Sequence, residues 1–159
     1  MILDRAAARR TPGLPPLPRP PAALLRLIER LPVEPPSFAL AVLLNRVLLP
    51  RLDPAAYAAL VGRVVEISLT DIGLRFRLEL LARASGGFAA VADDRAPALR
   101  IRASADAFWR LAQGDEDADT LFFERALVME GDTEYGLLLK NTLDAIGPLL
   151  PALLRRGGA

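Results

Sequence analysis

The sequence predicts an α+β domain in which a five-stranded, mainly antiparallel sheet has one face covered by helices. Three observations lead there. Period-two alternation runs through GRVVEISLTDIGLRFRLEL, residues 62–80, and returns at 98–103. Helical periodicity with capping residues follows the strands at 105–113 and 133–146. The length of 159 residues suits one domain, which buries about 70% of the surface its unfolded chain exposes.

The first 21 residues form an arm. Residues 11–21 hold six prolines and are expected to be extended, with no core of their own. A short amphipathic helix and linker occupy 22–37. Leu24, Leu27, Ile28 and Leu31 share one stripe, and Pro32, Pro35 and Pro36 end the helix. A second helix, 38–49, is apolar nearly all round until Asn45 and Arg46, so it is expected to be buried or to lie against another apolar surface. Pro50 stops it, and Asp53-Pro54 opens a short helix over 55–60.

Strands follow. Over 63–70, Val65, Ile67 and Leu69 alternate with Val64, Glu66 and Ser68. Over 73–81, Leu74, Phe76, Leu78 and Leu80 alternate with Arg75, Arg77 and Glu79. Asp71-Ile72-Gly73 joins these two as a hairpin turn. A weaker strand spans 88–92, and 98–103 sets Leu99 and Ile101 against Arg100 and Arg102. One sheet face is therefore apolar, and the other carries cross-strand Arg–Glu pairs in water. Ser104 caps the helix 105–113, which Gly114 ends; Phe108, Leu111 and Ala112 point inward and Trp109 sits at the core or its edge. An acidic run with Asp115, Glu116, Asp117 and Asp119 reads as a solvated loop. A fifth strand covers 127–130. Asp132 caps the helix 133–146, where Leu138, Leu139, Leu143 and Ile146 form an apolar stripe and Leu137 lies nearer the polar side. Residues 148–159 make an apolar tail, broken by Pro148 and Pro151 and closed by Arg155-Arg156.

Composition excludes much chemistry. There is no Cys and no His, so disulfides, thiolate zinc sites, Cys nucleophiles and His-based triads are out of reach. Asp71, Glu130, Asp132 and Asp144 each have an ordinary reading as turn, cap or solvated charge, and no dyad, phosphate loop or metal triad is spaced among them. The net charge of +1 conceals an asymmetry. Residues 1–51 carry 8 basic against 3 acidic groups, and residues 106–134 carry 2 against 9. The basic third can touch anionic lipid headgroups, each Arg contributing about 1 kcal/mol. Without a basic stripe interleaved with aromatics, nucleic acid is not an expected partner. No segment approaches the roughly 20 apolar residues of a membrane span. Arg9-Arg10 precedes Thr-Pro-Gly rather than an apolar core, so a cytoplasmic protein is expected, with transient contact to a membrane surface.

The run TLFFERALVMEGDTEYGLLLKNTLDAI, residues 120–146, contains an aromatic pair, Phe122 and Phe123, and the acidic turn Glu130-Gly131-Asp132. Its leucine-rich helix carries Asn141 and Leu143-Asp144. With the strand pair at 62–80, it resembles the sterol-carrier-protein-2 (SCP2) lipid-binding family across residues 38–147. Within that family it is similar to the bacterial branch that serves ubiquinone biosynthesis. The resemblance implies a hydrophobic tunnel between the sheet and its helices. Phe76, Leu78, Ile101, Phe108, Phe122, Leu138, Leu139, Leu143 and Ile146 are expected to line it. It also implies a non-catalytic carrier with no cofactor of its own, which presents a long-chain isoprenoid quinone precursor to hydroxylases of the UbiU and UbiV type for oxygen-independent ubiquinone synthesis. The composition is compatible: 52% of residues are hydrophobic but only 6% aromatic, and flexible aliphatic walls suit a long hydrocarbon. Two other readings stay open from the residues, a generic phospholipid or fatty-acid carrier and a ligand-free interaction scaffold.

Overall fold

The structure, a computed structural model, describes residues 21–29 and 34–149. The expected arm before Pro21, residues 30–33 and the expected tail beyond Leu149 lie outside the described residues. The chain runs α1 (Ala22–Glu29), α2 (Glu34–Val47), a 3-10 turn (Leu49–Arg51), α3 (Pro54–Leu60), β1 (Val64–Leu69) and β2 (Leu74–Leu80). It continues through β3 (Phe88–Ala90), β4 (Leu99–Ala103), α4 (Ala105–Gln113), α5 (Ala118–Phe123), β5 (Leu127–Gly131) and α6 (Thr133–Ile146).

The five strands form one sheet in the order β3-β2-β1-β4-β5. β1 and β2 are an antiparallel hairpin in which Ile67 faces Phe76, and β4 lies parallel to β1 with Ile67 opposite Ile101. The β2–β3 and β4–β5 pairs are antiparallel, so the sheet is mainly antiparallel, as the alternation predicts. These registers place Val65, Ile67, Leu69, Phe76, Leu78, Leu80, Leu99, Ile101 and Met129 on one face. Glu66, Arg77, Glu79, Arg100, Arg102 and Glu130 lie on the other. There Glu66 receives Arg77 at 3.0 Å and Arg100 at 3.6 Å, and Arg102 pairs with Glu130. Such pairs each contribute little in water, but they leave no like charges opposed across the strands.

The apolar face is covered as expected. Leu60 of α3, Ala107 of α4, Leu121 of α5 and Tyr135 of α6 close over Leu80, Leu99, Ile101 and Leu127. Leu99 is 1% exposed and Leu121 0%. Two element assignments differ from the sequence reading. The acidic stretch is not all loop: Asp117 accepts a hydrogen bond from the backbone N–H of Thr120, and α5 follows. Burying Leu121 and Ala118 stabilises this helix, which is too short for periodicity to reveal. α2 begins four residues earlier than expected, with Pro35 and Pro36 inside its first turn, where a missing N–H costs nothing.

α2 runs beside β2 and β3, burying Ser37, Ala41 and Val47, with Leu48 buried just past its end. Its opposite face is apolar too, and Phe38 there is 66% exposed, with Val42 and Leu43 beside it. On α1, Leu24 and Leu27 are also exposed. Among the described residues no helix is long and apolar enough to cross a membrane.

Candidate functional site

α6 approaches the sheet closely because Gly136 has no side chain. A Cβ there would lie 3.2 Å from Leu99 Cδ1 and 3.6 Å from Met129 Sδ. Three contacts hold the helix in place. Asp132 accepts the Tyr135 backbone N–H at 3.0 Å and thereby caps it. The hydroxyl of Tyr135 donates to the Leu60 carbonyl at 2.8 Å, tying α6 to α3. Burial of that phenol pushes its pKa up, so it remains a donor. Lys140 reaches Asp144 at 3.0 Å and Asp119 of α5 at 3.2 Å. Hydrogen bonds to those two carboxylates raise its pKa.

The residues expected to line a lipid site are distributed as follows. Phe76, Leu78 and Ile101 share the apolar sheet face, Leu78 and Ile101 buried and Phe76 half-buried. Phe108, Leu138 and Leu139 pack from α4 and α6 onto the core that includes Ile101. Leu143 is half-buried one turn beyond Leu139. Phe122 stands apart, 51% exposed, edge-to-face with Phe123 at a centroid distance of 6.2 Å. Trp109, half-buried on α4, keeps its indole Nε1 from solvent without a hydrogen-bond partner among the described residues.

Ile146 lines a feature that the sequence reading missed. A cleft of about 620 Å³ lies between the start of α3 and the last two turns of α6. Arg51, Leu52, Asp53 and Ala56 form one wall, and Asn141, Thr142, Ala145 and Ile146 the other. The chain leaving α6 runs past its end. Pro148 accepts a hydrogen bond from Arg51 Nη1 at 3.3 Å, and the Leu149 N–H donates to the Ala112 carbonyl at 3.2 Å. No pattern local to one segment predicts the cleft, because its walls are about 90 residues apart in sequence. The described residues hold no group of acidic side chains arranged for a metal ion.

Aliphatic side chains pack between sheet and helices, and an amphipathic cleft lies separately between the start of α3 and the end of α6. Together they offer burial and hydrogen bonding. The ubiquinone biosynthesis accessory factors UbiT of Escherichia coli strain K12 and of Escherichia coli O157:H7 are each 37% identical over 95 residues, 60% of this chain. The chain spans about half the length of these relatives, 52%. Among solved structures, the UbiJ-SCP2 ubiquinone synthesis protein superposes with a TM-score of 0.53 at 17% identity, covering 68% of this chain and 92% of that one. That likeness concerns the fold. The model of the SCP-2 sterol transfer family matches residues 43–144, from the middle of α2 to the last turn of α6. With well over half of its length matched, the chain belongs to the SCP-2 sterol transfer family.

Proposed function

We propose that this chain is a non-catalytic lipid-binding accessory protein that holds polyprenylated quinone precursors for oxygen-independent ubiquinone biosynthesis. The observation that carries the reading is the aliphatic stripe of α6 laid over an apolar sheet face within an SCP-2 family fold. The UbiT relatives supply the pathway. The isoprenoid tail lies in a tunnel between sheet and helices, against Phe76, Leu78, Ile101, Phe108, Leu138, Leu139, Leu143 and Ile146, with Phe122 at the rim. Removing a tail from water contributes roughly 25 cal/mol per Å² of apolar surface. A tail taken from a bilayer is already in an apolar phase, so loading and release are nearly balanced. The redox chemistry belongs to partner hydroxylases of the UbiU and UbiV type, and the chain needs no cofactor for its part. Loading takes place at the inner membrane surface, from the cytoplasmic side, where the exposed apolar side chains of α1 and α2 meet lipid.

Native mass spectrometry of the purified chain, followed by solvent extraction, tests this. A retained prenylated quinone precursor is the expected result. Phospholipid alone would move the protein to the generic carriers. A ligand-free mass, with no displacement of a fluorescent acyl or prenyl probe, would leave only an interaction scaffold.

A further inference from the structure

The cleft between the 3-10 turn and α6 differs in character from the apolar interlayer beside it. Leu52 and Ile146 give it apolar ground, while Arg51, Asp53, Asn141 and Thr142 give it a polar rim. Its volume of about 620 Å³ falls within the range of small-molecule sites, about 300–1,000 Å³. It also lies in line with the core. On α6, positions 138, 142 and 146 follow one another at four-residue spacing, so the face that packs on the sheet at Leu138 reaches the cleft at Thr142 and Ile146.

The rim keeps hydrogen-bonding groups free for a ligand. Arg51 uses Nη1 on the Pro148 carbonyl and retains its other N–H donors. Asp53 caps α3 through Oδ1, at 2.8 Å from the Ala56 N–H, and has Oδ2 to spare. Thr142 gives its proton to the Leu138 carbonyl at 2.8 Å, so its lone pairs are left as acceptors. Asn141 accepts from Lys140 through Oδ1 at 3.4 Å and keeps its amide N–H groups. Donors and acceptors are therefore both on offer, and the charges of Arg51 and Asp53 oppose each other.

We propose that this cleft seats the polar head of the bound lipid, and that the head is an uncharged, hydroxylated aromatic ring. A phenolic O–H donates to Asp53 or Thr142, its oxygen accepts from Arg51 or Asn141, and the ring lies on Leu52 and Ile146. A phosphate head fits the same rim poorly. It brings negative charge towards Asp53, a cost that a neutral phenol does not meet. The inference rests on the lipid-binding reading and adds what that reading lacks, a means of telling a quinone precursor from a phospholipid by its head.

The test uses the full chain and three probes that compete with a fluorescent prenyl ligand: a farnesylated phenol, dioleoyl phosphatidic acid, and squalene, which has no head. Thr142→Val retains the side-chain shape but loses the acceptor. It is expected to weaken the phenol about tenfold, the scale of one hydrogen bond lost from a buried hydroxyl, and to leave squalene unchanged. Asp53→Asn keeps the cap on α3, since Asn caps as well as Asp, and removes the negative charge. It is expected to weaken the phenol and tighten phosphatidic acid, with a melting curve like that of the parent. If both variants leave the phenol unchanged, or weaken it no more than squalene, the cleft does not seat the head, although squalene binding keeps the lipid reading intact. If the parent chain prefers phosphatidic acid to the phenol, the head assignment falls in favour of phosphate. Failure of the parent to bind any of the three overturns the lipid reading itself.

Discussion

The side chain of Asn45 hydrogen-bonds both backbone groups of Phe88. Its Nδ2 donates to the Phe88 carbonyl at 3.0 Å, and the Phe88 N–H donates to its Oδ1 at 2.7 Å. Phe88 lies on the edge strand β3, with these groups turned away from β2, so the amide of α2 takes the place that a further strand would fill. Ser37 does the same one step along, accepting the Arg77 N–H at 2.9 Å where β3 has ended. The helix that covers this edge thus satisfies it as well.

Asn45→Ala is expected to cost about 2–3 kcal/mol, because two hydrogen bonds are lost and both Phe88 groups are left unpaired beside a helix. Gly87→Ala is expected to cost at least 1–2 kcal/mol from its left-handed backbone alone, roughly the penalty for any Cβ there. Its φ is +64°, and the added Cβ would come within 2.4 Å of Asn45 Oδ1. Removing Asn45 relieves that clash. Urea denaturation of the two single variants and the double variant should show the double costing less than the sum by more than 0.5 kcal/mol, about the limit of ordinary additivity. Additive losses would mean that the amide does not hold this edge.

The Asn45 contact also marks where the sequence stops being legible. Alternation at Val65, Ile67, Leu69 and from Leu74 to Leu80 reads directly as strands, because period two is a local property. The Asp53, Ser104 and Asp132 caps are visible for the same reason, each bonding a backbone N–H three residues on. Asn45 reads only as a break in an apolar run, since its partner is 43 residues away. The parallel pairing of β1 with β4 and the two walls of the cleft are equally non-local. α5 is hidden for a different reason: it is too short for periodicity to register, and Leu121 does most of its burying.

Asp132 links stability to pH. The Tyr135 backbone N–H at its carboxylate, followed by the nearby Arg63 charge, lowers its pKa below the ordinary value of 3.8. A carboxyl depressed on folding contributes stability that is complete above the unfolded value and is lost as pH falls through the folded one. Asp132→Asn retains a capping side chain but does not titrate. Urea midpoints should therefore fall less for Asp132→Asn than for the parent between about pH 6 and about pH 3. Equal losses in the two proteins would place the acid sensitivity elsewhere, with Asp117, depressed by the Thr120 N–H it caps, as the next residue to replace.

Truncation separates two parts of the tail. Pro148 and Leu149 are docked on Arg51, Gly114 and Ala112, so a chain ending at Gly147 loses those contacts. It is expected to melt a few degrees lower, since about 1 kcal/mol moves the midpoint of a domain this size by roughly 2–4 °C. A chain ending at Leu149 keeps the docking and should melt like the parent, while binding less to anionic liposomes because the Arg155-Arg156 pair and its apolar neighbours are gone. Unchanged liposome binding after removal of residues 150–159 would assign membrane contact to α1 and α2 alone.

Leu139 and Leu143 stand one turn apart on α6 in different surroundings. Leu139 packs on the core that includes Leu99 and Ile101, and Leu143, half-buried, lies towards the cleft end. Leu139→Trp should fill part of the tail's space and also overpack against the core, costing about 1–3 kcal/mol or more. Leu143→Trp should occupy the space proposed for the tail, with a near-normal melting curve and no prenyl-quinone retained in native mass spectra. In the native host, Leu143→Trp should lower ubiquinone made without oxygen and spare the aerobic route. A collapsed melting curve for Leu143→Trp would show that position 143 is packed solid and the tunnel runs elsewhere. Undiminished anaerobic quinone despite lost binding would remove the pathway assignment and leave a lipid carrier.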